Sequence, residues 1–134
     1  MDWKLIIDYW KLNIAIMTPD ELKARCKQFS LRVIHLVRAL PDDKVGRTIA
    51  NQLIRSGTSV AANYRAACLA KSRADFASKT GTAAEEADES ALWMELIIED
   101  RILAPEKVTP LWQEATELTS IFLASIKTAR ENSQ

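Results

Sequence analysis

The run EEADE carries three carboxylates, Glu85, Glu86 and Glu89, at a spacing from which chemistry can be built. A helix turns once in about 3.6 residues, so Glu85 and Glu89 lie one turn apart with Glu86 beside them. Oxygen ligands gathered in that way suit a hard divalent cation such as magnesium. A site that grips the ion from two sides also needs a second acidic pair one turn apart, about one helix later. Glu99 and Asp100 are adjacent there instead. The structural reading makes Glu86 or Glu89 the partner of Arg55 across a helix contact, with Glu85 solvated.

Other reactive side chains are scarce. His35 is the single histidine and sits between Ile34 and Leu36. Without a Glu-x-x-His pair no histidine-containing di-iron bundle site can be assembled, and a partly buried structural histidine is expected. Cys26 has no second histidine or tuned base near it in sequence, which leaves a nucleophile without its activating group. RSGTS, residues 55–59, lacks the GK[ST] ending of a phosphate loop, and no strand precedes it. No catalytic, cofactor-binding or metal-binding residue is assigned, and the chain is expected not to be an enzyme.

The elements that must hold these residues can be read from their punctuation. With 3 glycines and 4 prolines in 134 residues, 48% of them hydrophobic, turn formers are too few for many short strands, while the apolar content suffices for one core. Thr18 is placed to cap a first helix, with Pro19 at its first position and Glu21 completing a capping box. The stripe Leu22, Cys26, Phe29, Val33, Leu36, Leu40 runs to Pro41. Asp42 or Asp43 caps a second helix, which carries Val45, Ile49, Leu53, Val60 and Tyr64 to about Ala70. Ser72 and Asp75 repeat the capping logic for a third helix from near Arg73 to about Leu103, through Phe76, Ala83, Ala87, Ala91, Met94 and Ile98. The fourth starts at Pro105 or Pro110 and uses Leu111, Ala115, Leu118, Phe122 and Ile126. Short links imply antiparallel neighbours, so the expected fold is all-α, an up-down four-helix bundle over residues 17–134.

Two surfaces ask for partners. On the second helix Gln52, Arg55, Ser56, Ser59 and Asn63 form a polar stripe beside the apolar one, with Gly57 and Ala61 small between them. A helical glycine costs about 1 kcal/mol against alanine. A close approach of the third or fourth helix, or of another subunit, offsets that cost. Arg55, Ser59, Asn63, Glu86 and Glu89 are expected to form one polar cluster, with the arginine pair partly buried. On the third helix ALWMELII, residues 91–98, holds one charge in eight. An isolated bundle helix shows polar residues more often. Leu92, Trp93 and Leu96 are therefore candidate oligomer contacts, with the apolar residues 1–16 as the alternative cover.

The formal net charge of zero conceals a division. From Asp20 to Arg73 the chain has 11 Lys/Arg against 4 Asp/Glu, and from Ala74 to Glu117 it has 3 against 11. Such a split marks either mutual attraction of the halves, within or between subunits, or a nucleic-acid surface. For the second, Lys23, Arg25, Lys27, Arg32, Arg38, Lys44 and Arg47 are the candidate phosphate contacts, although no interleaved aromatics offer stacking platforms. Two cysteines, Cys26 and Cys68, without CxxC spacing read as small buried thiols in a reducing cytoplasm. No run approaches the ~18 apolar residues that span a bilayer, and no membrane partner is expected.

The motifs NQLIRSGTSVAANYRAA, SRADF, EEADESALWMELI and SIKTAR, in that order, resemble the four-helix-bundle proteins encoded within intervening sequences of bacterial 23S ribosomal RNA genes. The accessory variability protein of diversity-generating retroelements shares that fold family. The resemblance spans roughly residues 17–130. It implies a left-handed bundle, homopentameric assembly, no assigned activity for most members, and, for the retroelement member, binding to nucleic acid and a reverse transcriptase. This chain departs from that basic member in being neutral overall. Residues 1–16 precede the family-like part and read as an N-terminal extension or a misassigned start. EExxE alone also resembles half of the motif of the all-α, magnesium-dependent nucleoside triphosphate pyrophosphatases.

Overall fold

The computed structural model describes residues 17–131, and the expected extension over residues 1–16 lies outside the described residues. Four helices account for the fold: α1 Pro19–Ala39, α2 Lys44–Cys68, α3 Arg73–Glu99 and α4 Pro105–Glu131. No strand occurs among the described residues, and no helix there is long and apolar enough to cross a membrane.

Side-chain caps start three of the helices by giving orphan backbone amides an acceptor. Thr18 Oγ1 accepts from the Glu21 amide at 3.1 Å while the Glu21 carboxylate accepts from the Thr18 amide at 3.2 Å. Asp43 accepts from Gly46 at 2.8 Å and Ser72 from Asp75 at 3.0 Å. α3 stops at Glu99, short of the expected Leu103. Arg101 there adopts φ 55°, in the left-handed region. Its amide donates to the Ile98 carbonyl at 3.1 Å, and that of Ile102 donates to Ile97 at 3.0 Å, which closes the helix end. α4 begins at Pro105 and runs on through Pro110.

Each helix packs on the next in sequence, and α1 also meets α4. The backbones of α1 and α3, and those of α2 and α4, do not approach closely, so each of these pairs lies diagonally across the bundle, the second bridged through the core by Tyr64 and Phe122 with ring centroids 5.6 Å apart. The core joins Phe29 and Val33 of α1, Leu53 and Val60 of α2, Met94 and Ile97 of α3, and Leu118 and Phe122 of α4, all at most 1% exposed. Fully burying side chains of this size contributes about 1.5–3 kcal/mol each. Val45 does not join them and is 54% exposed. Gly46 takes the inward position instead, against the Pro41 carbonyl, where a Cβ would collide. On α3, Ile97 is buried and Ile98 only half-buried, the reverse of the expected stripe.

Gly57 shows what its helix gains from small residues. A Cβ at that position would lie 2.7 Å from Val33 Cγ1, so the close approach is to α1, not to α3 or α4. Ser30 Oγ of α1 donates to the Gly57 carbonyl at 2.9 Å across the same gap.

Candidate functional site

The polar stripe on α2 divides between two environments. Arg55 Nη1 donates to Glu86 Oε2 at 3.1 Å, and Nη2 donates to Glu89. The expected burial of this pair is corrected by the structure. The Arg55 side chain is 48% exposed and those of Glu86 and Glu89 are 20% and 35% exposed, because Arg55 sits at the edge of the α2–α3 contact. Ser56, one residue further inward, is wholly buried, and its hydroxyl meets that of Ser90 on α3 at 2.9 Å. Ser59 and Asn63 do not join the carboxylates. Asn63 Nδ2 donates to the Ser59 carbonyl at 2.8 Å, a bond within α2. The expected five-residue cluster is therefore a three-residue ion pair, a local bond, and a separate buried hydroxyl pair. Sequence spacing finds the stripe but cannot show which hydroxyl of it faces Ser90.

Exposed apolar side chains mark α3. Leu92 is 49% and Leu96 40% exposed. Trp93 is half-buried against the core, and its indole N–H donates to Glu89 Oε2 at 3.3 Å. Exposed acids flank the leucines along the same helix: Glu85, Asp88, Glu95 and Glu99.

The seven candidate phosphate contacts separate into occupied and unoccupied cations. Arg25 is engaged inside the bundle, contrary to its expected role. It donates from Nε to Glu114 at 2.8 Å and from Nη2 to Glu117 at 2.6 Å, tying α1 to α4. The hydrogen bond to Glu114 is the main cause holding its pKa above the ordinary arginine value. Glu117 is held above the usual carboxylate range, first by burial and then by its hydrogen bond with Glu114, against the pull of Arg25. Lys23 pairs with Asp20 at 3.1 Å and Arg47 with Asp42 at 2.9 Å. Lys27, Arg32, Arg38 and Lys44 make no ion pair among the described residues. The α1–α4 clasp was missed in the sequence, although Glu114 and Glu117 flank the buried Ala115 and Leu118 at helical spacing.

Reactive groups remain isolated. His35 is exposed, not partly buried, because it points away from its buried neighbour Leu36. Cys26 is wholly buried, and desolvation pushes its thiol up to about 12. Cys68 is half-buried. It borders a cavity of about 920 Å³ at one end of the bundle, with Met17, Leu22, Tyr64, Phe76 and Ile121 among its walls. Among the described residues no group of acids, histidines or cysteines is arranged to hold a metal ion.

Comparison with known proteins gives concordant results. A family model described as 23S rRNA-intervening sequence protein matches residues 21–124. Among solved structures, a protein with unknown function from the S23 ribosomal protein family of Bacteroides thetaiotaomicron is 32% identical, with a TM-score of 0.76, over 83% of this chain and 99% of that one. No curated protein matches the chain.

Proposed function

The chain belongs to the 23S rRNA-intervening sequence protein family, and from that premise we propose that it is a non-catalytic, self-assembling helical module that presents its surface to a macromolecular partner. One observation carries the reading: α3 leaves Leu92 and Leu96 49% and 40% exposed, although the bundle core is complete without them. Covering the remaining half of such side chains contributes roughly 0.7–1.5 kcal/mol each, and a second subunit gains that where water does not. The resemblance described above implies a ring of five. Light scattering on the purified protein is expected to give about five times the chain mass of 15.0 kDa. A mass of one chain at micromolar concentration overturns the reading.

A second reading, nucleic-acid binding through the first two helices, is supported by Lys27, Arg32, Arg38 and Lys44, whose charges are not neutralised by an ion pair among the described residues. Phosphate contacts release counterions, so retention on RNA or DNA would weaken steeply from low to physiological salt. Absence of retention at low salt removes this reading. The magnesium pyrophosphatase alternative finds little support, because Glu86 and Glu89 are both engaged by Arg55, which offsets one of their two negative charges. Only Glu85 of that trio remains as an exposed acid.

A further inference from the structure

Two outward ridges of the bundle match in shape and oppose in charge. On α1, Lys27, Leu31 and Arg38 are exposed, and at about 100° per residue they fall within about 40° of one another around the helix. The core side of α1, with Cys26, Phe29 and Val33, is roughly opposite. On α3, Asp88, Leu92, Leu96 and Glu99 form the corresponding exposed ridge, away from Ala83, Ala87 and Met94. Lys27 and Arg38 are eleven residues apart, and so are Asp88 and Glu99. With a rise of about 1.5 Å per residue, each pair of charges spans about 16 Å. Leucine lies between the charges in both ridges: Leu31, 43% exposed, on α1, and Leu92 and Leu96 on α3.

α1 and α3 lie diagonally across the bundle with no close approach of their backbones. Their outward ridges therefore occupy opposite corners of the same molecule, and a ridge cannot satisfy its counterpart within one chain. We infer that the α1 ridge of one copy receives the α3 ridge of the next, with Lys27 and Arg38 set against Asp88 and Glu99 and the leucines enclosed between them. The occupant is a second copy of this chain, selected by charge complementarity and equal spacing. Because two different surfaces meet, the contact is heterologous, and it propagates around a ring or along a filament instead of stopping at a two-fold dimer. This inference rests on the self-assembly reading and goes beyond it by naming both faces.

Charge reversal tests it on the full chain. Lys27→Glu with Arg38→Glu makes the α1 ridge acidic, and Asp88→Lys with Glu99→Lys makes the α3 ridge basic. Each double variant is expected to lose the assembled mass in light scattering, with at least a tenfold rise in dissociation constant. The chain carrying all four substitutions is expected to regain that mass. Far-UV circular dichroism checks that helix content is kept. Should a reversal reduce it, Lys27→Gln with Arg38→Gln and Asp88→Asn with Glu99→Gln carry the same test, each weakening assembly. If the native protein assembles but a folded double variant keeps the native mass, or the fourfold variant fails to recover it, the paired ridges are overturned while self-assembly stands. A single-chain mass for the native protein overturns self-assembly itself. Loss of RNA retention by the α1 variant with unchanged mass also overturns the pairing and favours the nucleic-acid reading.

Discussion

Gly57 and Arg55 lie two residues apart on α2, yet substitutions at the two have different consequences. Gly57→Leu drives a side chain into Val33, where even a Cβ would stand 2.7 Å from a methyl carbon. Overpacking of this kind typically costs about 1–3 kcal/mol, which urea denaturation would register as a lower midpoint. Arg55→Ala opens an ion pair whose arginine is 48% exposed, so it leaves the thermal midpoint nearly unchanged. A large drop would show that the pair is shielded from water in the assembled protein. Arg25→Ala is the more damaging arginine change, since it abandons two partly buried carboxylates, Glu114 and Glu117, at 15% and 36% exposure. Breaking a fully buried pair costs about 3–5 kcal/mol, and the residual exposure here reduces that to roughly 1–3 kcal/mol. Glu117 sets a pH dependence with a definite sign. Its carboxyl is held above the usual range, chiefly by burial, so the folded chain binds that proton more readily than the unfolded one. Stability from this group therefore falls as pH rises from the ordinary glutamate value through the folded value. Glu117→Gln is expected to be at least as stable as the native chain near pH 7, with the difference closing on acidification. A variant clearly less stable at neutral pH would sink that account.

At the scale of helices, beginnings are legible and endings less so. Thr18 with Glu21 and Ser72 with Asp75 state their caps in four consecutive residues each, because capping is a local hydrogen-bond problem. The end of α3 is different. Arg101 occupies a left-handed position that normally favours glycine, and no residue type there announces the turn. For an L-residue that backbone costs about 1–2 kcal/mol, of which glycine's freedom in the unfolded chain would return part. Arg101→Gly is accordingly expected to stabilise by up to about 1 kcal/mol, seen as a small rise in thermal midpoint, and a fall would mean that the arginine side chain is doing something the backbone does not reveal. Apolar stripes share this one-residue ambiguity. Ile97 and Ile98 are adjacent and chemically alike, and only the direction in which α3 meets its neighbours sends Ile97 inward. Val45 and Gly46 differ for the same reason: Pro41 approaches so closely that only the glycine fits inside.

Across the whole molecule the four helices were legible in the sequence, whereas the partners of individual charges were not. Periodicity reports which side of a helix is apolar, but not which helix stands opposite, so Arg25 reads as a free surface cation until α4 brings Glu114 and Glu117 against it. The α1–α4 seam is the least extensive of the four, and α1 is also the shortest helix, at 21 residues. Native-state hydrogen exchange is expected to find α1 opening at a lower free energy than α3, with Arg25→Ala widening the difference. Equal protection of all four helices would show that the bundle opens only as a unit. The two cysteines provide a practical handle on the intact particle. Cys26 is sealed in the core with its thiol pushed up to about 12, whereas Cys68 is only half-buried at the rim of the end cavity. A maleimide dye should therefore mark the native chain once, at Cys68, without any engineered cysteine. Each assembled particle would then carry one fluorophore per chain, and counting its bleaching steps under a microscope would number its subunits directly.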